Sequence, residues 1–283
     1  MISFLGPIKN DWKKVPPLLN SIRRLIKTGK YEILLIDDGS NQENQTLIDQ
    51  IQRGYPELKL FKNPSSLGVI PSVNQISQLA KGDILVPVDA DIRFRTRFYF
   101  VYITLIFRIF KRVNFCFAKA RLIDQETGRV QGVVGWASKK GMQNYCNTAE
   151  LIAQGKIRAA GGGCSYRKQW FLKSGGYDPF LGPTADFYIN HLAILQGSAW
   201  YCGKVVTDNL VRTNSYTSSV SAADYRRLME RVITKWEENG VILTSEEKKN
   251  LIEYEKNESP SNLALLKALG KSKGKVQESR INN

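Results

Sequence analysis

The chain has 283 residues, of which 42% are hydrophobic and 24% charged, an ordinary globular composition that excludes a mainly disordered protein and suffices for one large domain with an appendage. A formal charge of +15 favours polyanionic partners, namely nucleic acid, an acidic membrane face or phosphorylated substrates, without choosing among them. Cys116, Cys146, Cys164 and Cys202 form no C-x-x-C pair and there is one histidine, His191, so a structural zinc site is excluded and buried thiols in a reducing cytosol are expected.

Strands and helices alternate through the first half. Ile2 to Leu5 reads as a short buried strand stopped by Gly6-Pro7. It is too short for the apolar region of a secretory signal, so none is expected. Val15 to Ile26 has helical apolar spacing, with Pro16 and Pro17 tolerable in a first turn. Tyr31 to Ile36 is a β-type apolar run that ends in the turn Asp37-Asp38-Gly39-Ser40. A helix over 44–53, a strand over 58–61 and a helix over 71–79 follow. The strand Asp83 to Val88 then runs directly into Asp89-Ala90-Asp91. This rhythm predicts a mainly parallel sheet covered by helices, with ligands at the carboxyl ends of the strands. Both acidic clusters fall at such ends.

Phe98 to Phe110 is the longest apolar stretch, too short to span a bilayer, and reads as a core or an interfacial helix. Phe115 to Ile123 and Val130 to Val134 are predicted to pair as strands. Gly175-Gly176-Tyr177-Asp178-Pro179 marks a turn, and Asp186 to Leu195 a helix ending at Gly197. Ala222 to Glu238 is an amphipathic helix, and Thr244 with Glu247 forms a capping box that opens another. From Ser259 onward a basic, flexible tail is expected. The division is therefore 1–220, a helical extension at 221–258, and the tail at 259–283.

Two carboxylates one residue apart at a strand end need compensation for their desolvation. Taken alone, Asp89 and Asp91 fit either a divalent metal held by hard oxygen ligands, or ion pairs with Arg93, Arg95 and Arg97. The segments YEILLIDDGS (31–40), NPSSLGVIPSVNQISQLAKGDILVPVDADI (63–92) and GGYDPFLGPTADFYINHLAILQG (175–197) occur in an order that resembles the inverting nucleotide-sugar glycosyltransferases of family 2. The resemblance covers about residues 1 to 215. It implies the GT-A fold: an α/β, Rossmann-like mixed sheet, mainly parallel and flanked by helices, here with a helical C-terminal extension.

By position, the resemblance places Asp38, with Asp37 beside it, at the edge of a uracil-like base, and main-chain atoms of Pro7 against that base. Asn63 and Gly68 would shape the loop beneath ribose and diphosphate. Asp89 would sit near the ribose or the metal, and Asp91 would bind Mn²⁺ or Mg²⁺ bridging the diphosphate. Asp186 falls where the family has its catalytic base, although Asp there also suits a helix N-cap. The implied reaction is metal-assisted inverting transfer, from a UDP-sugar first of all, to a hydroxyl of a glycan or lipid-linked acceptor, as in polysaccharide biosynthesis. The chain departs from the family pattern in three places. Ala185 replaces the usual glutamate before the base. Asp208, Asn209 and Arg212 stand where relatives carry a metal-completing histidine, which leaves Asp208, or only diphosphate and water, to complete the metal site. Pro7-Ile8-Lys9-Asn10 replaces Pro-Thr-Tyr-Asn.

Other residues have two readings. Arg167 and Lys168 are either phosphate clamps or solvated side chains, Gly161 to Gly163 either approach the sugar or form a plain turn, and His191 is expected to be structural. The stretch 92–123 carries eight Lys or Arg and no acid, interleaved with aromatics. With no nucleic-acid module present, an acidic membrane surface or a phospholipid-linked acceptor is the expected partner, with a merely basic surface as the alternative. The lysines at 267, 271, 273 and 275 point the same way. The expected location is the cytoplasm, at the inner face of a membrane if the basic surface docks there. Rival readings are a catalytically silent GT-A binding module and a sugar-phosphate nucleotidyltransferase. The second usually has a glycine-rich phosphate loop after the first strand, which this chain lacks.

Overall fold

The structure, a computed structural model, describes residues 1–26, 30–144, 147–159, 161–211 and 221–258. Cys146, Arg212 and the tail from 259 on lie outside the described residues. In chain order the first half comprises β1 (Ile2–Ile8), α1 (Val15–Leu25), β2 (Tyr31–Asp37), α2 (Gln45–Gly54), β3 (Leu58–Lys62), α3 (Val69–Leu79) and β4 (Ile84–Pro87). The four strands pair in parallel in the order β3-β2-β1-β4. Apolar side chains on both faces of these strands meet helices on both sides. Phe4, Ile33 and Leu35 pack with α1 and α2, while Leu5, Leu34 and Ile36 pack with α3.

β1 runs three residues further than the sequence pattern predicts. Gly6 and Pro7 read as chain breakers, yet Pro7 stands opposite Ile36 in register. A Cβ on Gly6 would collide with the Val88 carbonyl oxygen, so glycine lets β4 approach here. The Val88 N–H donates to the Leu5 carbonyl at 2.9 Å and the Asp38 N–H to the Ile8 carbonyl at 2.9 Å. These bonds bring the ends of β1, β2 and β4 together.

The second half adds β5 (Ile92–Phe94), α4 (Arg97–Ile109), β6 (Phe115–Asp124), β7 (Val130–Val134), β8 (Gly141–Gln143), α5 (Thr148–Ala153), β9 (Cys164–Arg167), α6 (Lys168–Lys173), α7 (Ala185–Leu195) and β10 (Ala199–Val211). The sheet continues from β4 as β9-β6-β10-β5. β9 is antiparallel to both β4 and β6, β10 runs parallel to β6, and the predicted hairpin of β6 with β7 is present. The result is a mixed, mainly parallel α/β sheet flanked by helices.

α8 (Ala222–Glu238) and α9 (Ser245–Glu258) follow. Gly240, at φ 81°, ends the first turn between them, and the predicted capping box opens α9: the Glu247 N–H donates to Thr244 Oγ1, and the Thr244 N–H to Glu247 Oε2 at 2.8 Å. Both helices share the core of the sheet domain. Trp236 is fully buried against Phe187, and its Nε1 donates to the Tyr188 carbonyl at 3.0 Å. Lys235 pairs with Asp178 at 3.0 Å. Among the described residues, no helix is long and apolar enough to cross a membrane.

Candidate active site

Asp37 and Asp38 close β2, and both are buried. Asp37 accepts from Trp12 Nε1 at 3.3 Å and from the Ser40 N–H at 3.2 Å, which fixes the turn after β2. Asp38 is the hub of the neighbouring loop. Its two oxygens accept five hydrogen bonds, from Asn63 Nδ2 (2.7 Å), Ser66 Oγ (2.8 Å), Ser72 Oγ (2.9 Å) and the N–H groups of Leu67 and Gly68 (2.9 Å each). Burial opposes its charge, but the bonds from Asn63, Leu67, Ser66 and Ser72 outweigh that and hold the carboxyl far below the ordinary carboxylate range. The resemblance sends this side chain to a base edge. In the structure its acceptor positions are taken by the chain's own loop, so a base donor would have to displace one of those partners.

Asn63 is buried in that network and also donates to Ser72 Oγ at 2.9 Å. Gly68 stands at the N-cap of α3 with φ 94°, a left-handed value that favours glycine, and nothing lies within van der Waals reach of a Cβ placed there. Sequence reasoning did not single out Ser66 or Ser72. Serine carries little positional signal, and these two matter only because the loop folds onto Asp38. Pro7, half-buried, stands beside the site at the end of β1.

The Asp89-Ala90-Asp91 turn links β4 to β5, and the Ile92 N–H donates to the Asp89 carbonyl at 3.1 Å. Ala90 points into the core, while the Asp89 side chain reaches solvent. Asp89 is nevertheless surrounded by enough protein to be desolvated. That burial, then the like charges of Asp91 and Asp186, push its carboxyl up to about 7. The turn after β4 and the first turn of α7 thus bring their carboxylates close enough for Asp91 and Asp186 both to act on Asp89. Asp186 lies within the first turn of α7 and is exposed; the N-cap position is Thr184, whose side chain makes no cap bond, while Asp186 Oδ1 accepts from the Phe187 N–H of the first turn at 2.7 Å. Ala185, where the family has glutamate, is buried in the core.

Asn74 ties this half of the site to the donor loop. From α3 its Nδ2 donates to the Tyr177 carbonyl at 2.7 Å, and its Oδ1 accepts from the Tyr177 N–H at 2.9 Å. Gly176 has φ 67°, and a Cβ there would strike Asn74 Oδ1. Asn74→Ala should lower stability by about 1–3 kcal/mol by unpairing both groups. A urea midpoint equal to wild type would refute that.

Several candidates have other duties. Asp208 accepts from Arg95 Nη1 at 2.8 Å and from Arg121 Nε at 2.7 Å and Nη2 at 3.0 Å. Burial opposes its charge, but Arg121 and Arg95 outweigh it and lower its pKa. It is paired rather than available as the third metal ligand. Arg167 donates to the Val113 and Phe107 carbonyls and Lys168 to the Gln78 and Ala80 carbonyls, so both close helix C-termini instead of clamping phosphate. Arg93 donates to the carbonyls of Ala90, Ile92 and Lys14. Lys9 is exposed. His191 is fully buried, its Nδ1 lies 2.9 Å from the Phe187 carbonyl, and burial pushes its pKa down to about 3, so it is a neutral structural residue. Gly162 packs against Ile92 and Asn209, and Gly163 against Ala118, leaving no room for side chains. Cys116, Cys164 and Cys202 are buried and unpaired.

Among the described residues, no three His, Cys, Asp or Glu side chains form a complete metal cage. Asp89 and Asp91 still fit a hard divalent ion. They are oxygen donors whose mutual repulsion is already felt in the Asp89 pKa, and a cation would relieve it.

Residues 3–105 match a family model described as Glycosyl transferase family 2. Over 93 residues, 32% of this chain, it is 27% identical to the beta-monoglucosyldiacylglycerol synthase of Trichormus variabilis. Over 96 residues, 31% of this chain, it is 24% identical to a dolichyl-phosphate beta-glucosyltransferase of Trichomonas vaginalis. The matched segments span 20% and 28% of the lengths of those relatives. Among solved structures, S. aureus TarS 1–349 in complex with UDP-GlcNAc superposes with a TM-score of 0.70 at 18% identity, covering 97% of this chain and 76% of that one. The mannosyltransferase PcManGT from Pyrobaculum calidifontis, in complex with GDP-Man and Mn²⁺, gives 0.57 at 16% identity, covering 95% and 73%. The chain thus resembles glycosyltransferase family 2 and has the fold of the GT-A glycosyltransferases.

Proposed function

We propose that this protein is an inverting glycosyltransferase that moves a sugar from a nucleoside-diphosphate donor, a UDP-sugar first of all, to the hydroxyl of a glycan or lipid-linked acceptor. One observation carries the proposal: the charges of Asp91 and Asp186 both act on Asp89 at the end of β4, and backbone bonds join that end to the ends of β1 and β2, where Asp38 anchors its loop. The similar proteins lend support: two solved ones are in complex with UDP-GlcNAc or GDP-Man, and the names of two relatives refer to monoglucosyldiacylglycerol and dolichyl phosphate. Residues 1–220 would form the catalytic part, with 221–258 bracing α7 from behind.

In this reading the nucleotide lies over the ends of β1 and β2, against Pro7, Asp37 and the loop 63–68. Gly68 admits the ribose and diphosphate closely because no side chain stands there. Asp89 and Asp91 would hold Mn²⁺ or Mg²⁺, which when bound supplies positive charge beside the diphosphate oxygens. Asp186 accepts the proton of the acceptor hydroxyl. The freed oxygen attacks the anomeric carbon, and the bond from that carbon to the diphosphate oxygen breaks. The electron pair leaves with the nucleoside diphosphate. A single displacement inverts the centre and needs no covalent sugar–enzyme intermediate.

A thermal-shift panel of nucleotide-sugars with and without Mn²⁺ tests the donor half. One donor class should raise the melting temperature in a metal-dependent way, and Asp91→Ala should abolish that rise. Stabilisation by no nucleotide would refute the reading. Binding without release of nucleoside diphosphate would favour a silent binding module.

A further inference from the structure

α4 is half buried and half bare. Tyr99, Phe100, Ile103, Ile106 and Phe107 enter the core. Phe98, Val101, Leu105 and Ile109 recur every three or four residues and form a second apolar stripe on the solvent side. Ile109 is 63% exposed, Val101 50% and Leu105 48%. The stripe continues beyond the helix through Phe110, whose ring lies 4.7 Å from that of Trp200. Phe98 stacks on Tyr102 at 5.1 Å, and Trp200 Nε1 donates to Tyr102 Oη at 2.9 Å. Two half-buried rings with polar edges, Tyr102 and Trp200, thus lie beside the stripe.

Basic side chains stand at both ends. Arg97 and Lys204 are exposed at one, with Lys204 Nζ 5.0 Å from the centre of the Phe98 ring. Arg108, Lys111 and Arg112 are exposed at the other. The chain carries no acidic residue between Ile92 and Ile123.

We propose that this face of α4 docks on an anionic phospholipid surface, with the helix lying in the plane of the interface. The complement for an apolar stripe ending in cations is a layer with an apolar interior and an anionic rim, where basic side chains stay among the headgroups as the stripe enters. Aromatic rings with polar edges suit that boundary. At about 20 Å the helix is too short to span the layer but suits lying in it. A second copy of the chain is a poor complement, because it would bring the same cations face to face. The inference needs no assumption about catalysis, and its test uses no nucleotide.

The test is sedimentation of the full chain with vesicles of phosphatidylcholine alone and of phosphatidylcholine mixed with phosphatidylserine. Binding to the mixed vesicles should exceed binding to the neutral ones by about tenfold or more, and should fall as salt is raised. Val101→Ser with Leu105→Ser should remove most of the binding without shifting the melting temperature, since both side chains are exposed. Arg108→Gln with Arg112→Gln should weaken binding to the mixed vesicles only. Equal binding to both vesicle types would overturn the proposal. So would binding that survives the stripe substitutions, which would trace it to basic residues elsewhere in the chain. A wild-type dimer in solution that the stripe substitutions convert to monomer would instead assign the face to self-association.

Discussion

Asp38→Ala is expected to destabilise the fold strongly, since each buried donor left without an acceptor costs about 1–3 kcal/mol. The side chain is 3% exposed, and its removal leaves the Leu67 and Gly68 N–H groups, Asn63 and two serine hydroxyls without their shared acceptor. The loop 63–68 would lose its anchor, so nucleotide stabilisation should vanish together with the stability. Asp38→Asn should cost less, because one oxygen can still accept while the amide opposes donors on the other side. The pH dependence has a definite sign. The folded-state pKa lies below the unfolded value, so the Asp38 contribution is complete above the unfolded pKa of about 4 and is lost as pH falls through the folded one. In urea titrations, wild type should therefore lose more stability than Asp38→Asn as pH is lowered below about 4. An Asp38→Ala variant with a wild-type midpoint would show that the loop holds itself.

The donor half of the fold was legible because it is written locally. β1, β2 and β4 are short apolar runs, and Asp37-Asp38 and Asp89-Ala90-Asp91 fall at the ends of two of them. The error at β1 has the same origin, since Gly6 and Pro7 are breakers in isolation but accommodate close approach of β4. What stayed illegible was long-range pairing. Arg121 and Arg95 meet Asp208 across 87 and 113 residues, and no spacing rule foretells that these arginines neutralise the carboxylate nearest a missing histidine. Arg167 and Lys168 read as phosphate clamps or as solvated side chains, whereas the tertiary fold sets them under the ends of α4 and α3. Phe98 to Phe110 allowed either a core or an interfacial helix. The structure gives a helix with one face in the core and an apolar face left bare.

Asp186→Asn should lower the rate of transfer by about 10²–10⁴-fold while leaving donor binding intact. The substitution keeps shape and volume at an exposed position in the first turn of α7, and the amide oxygen of asparagine can still accept from the Phe187 N–H. It does neutralise the one carboxylate among the three that the proposal does not assign to the metal. Charge balance moves the other way for the donor. Asp186 is one of the two charges that raise the pKa of Asp89, so its neutralisation should let Asp89 ionise more readily and hold a cation at least as well. Loss of turnover with unchanged or stronger Mn²⁺-dependent stabilisation is thus the signature of a base, and a merely structural residue would move both together. Release of nucleoside diphosphate at varied acceptor concentration should show the loss in kcat rather than in KM. Turnover within a few-fold of wild type would remove Asp186 from the mechanism and leave α7 as scaffold alone.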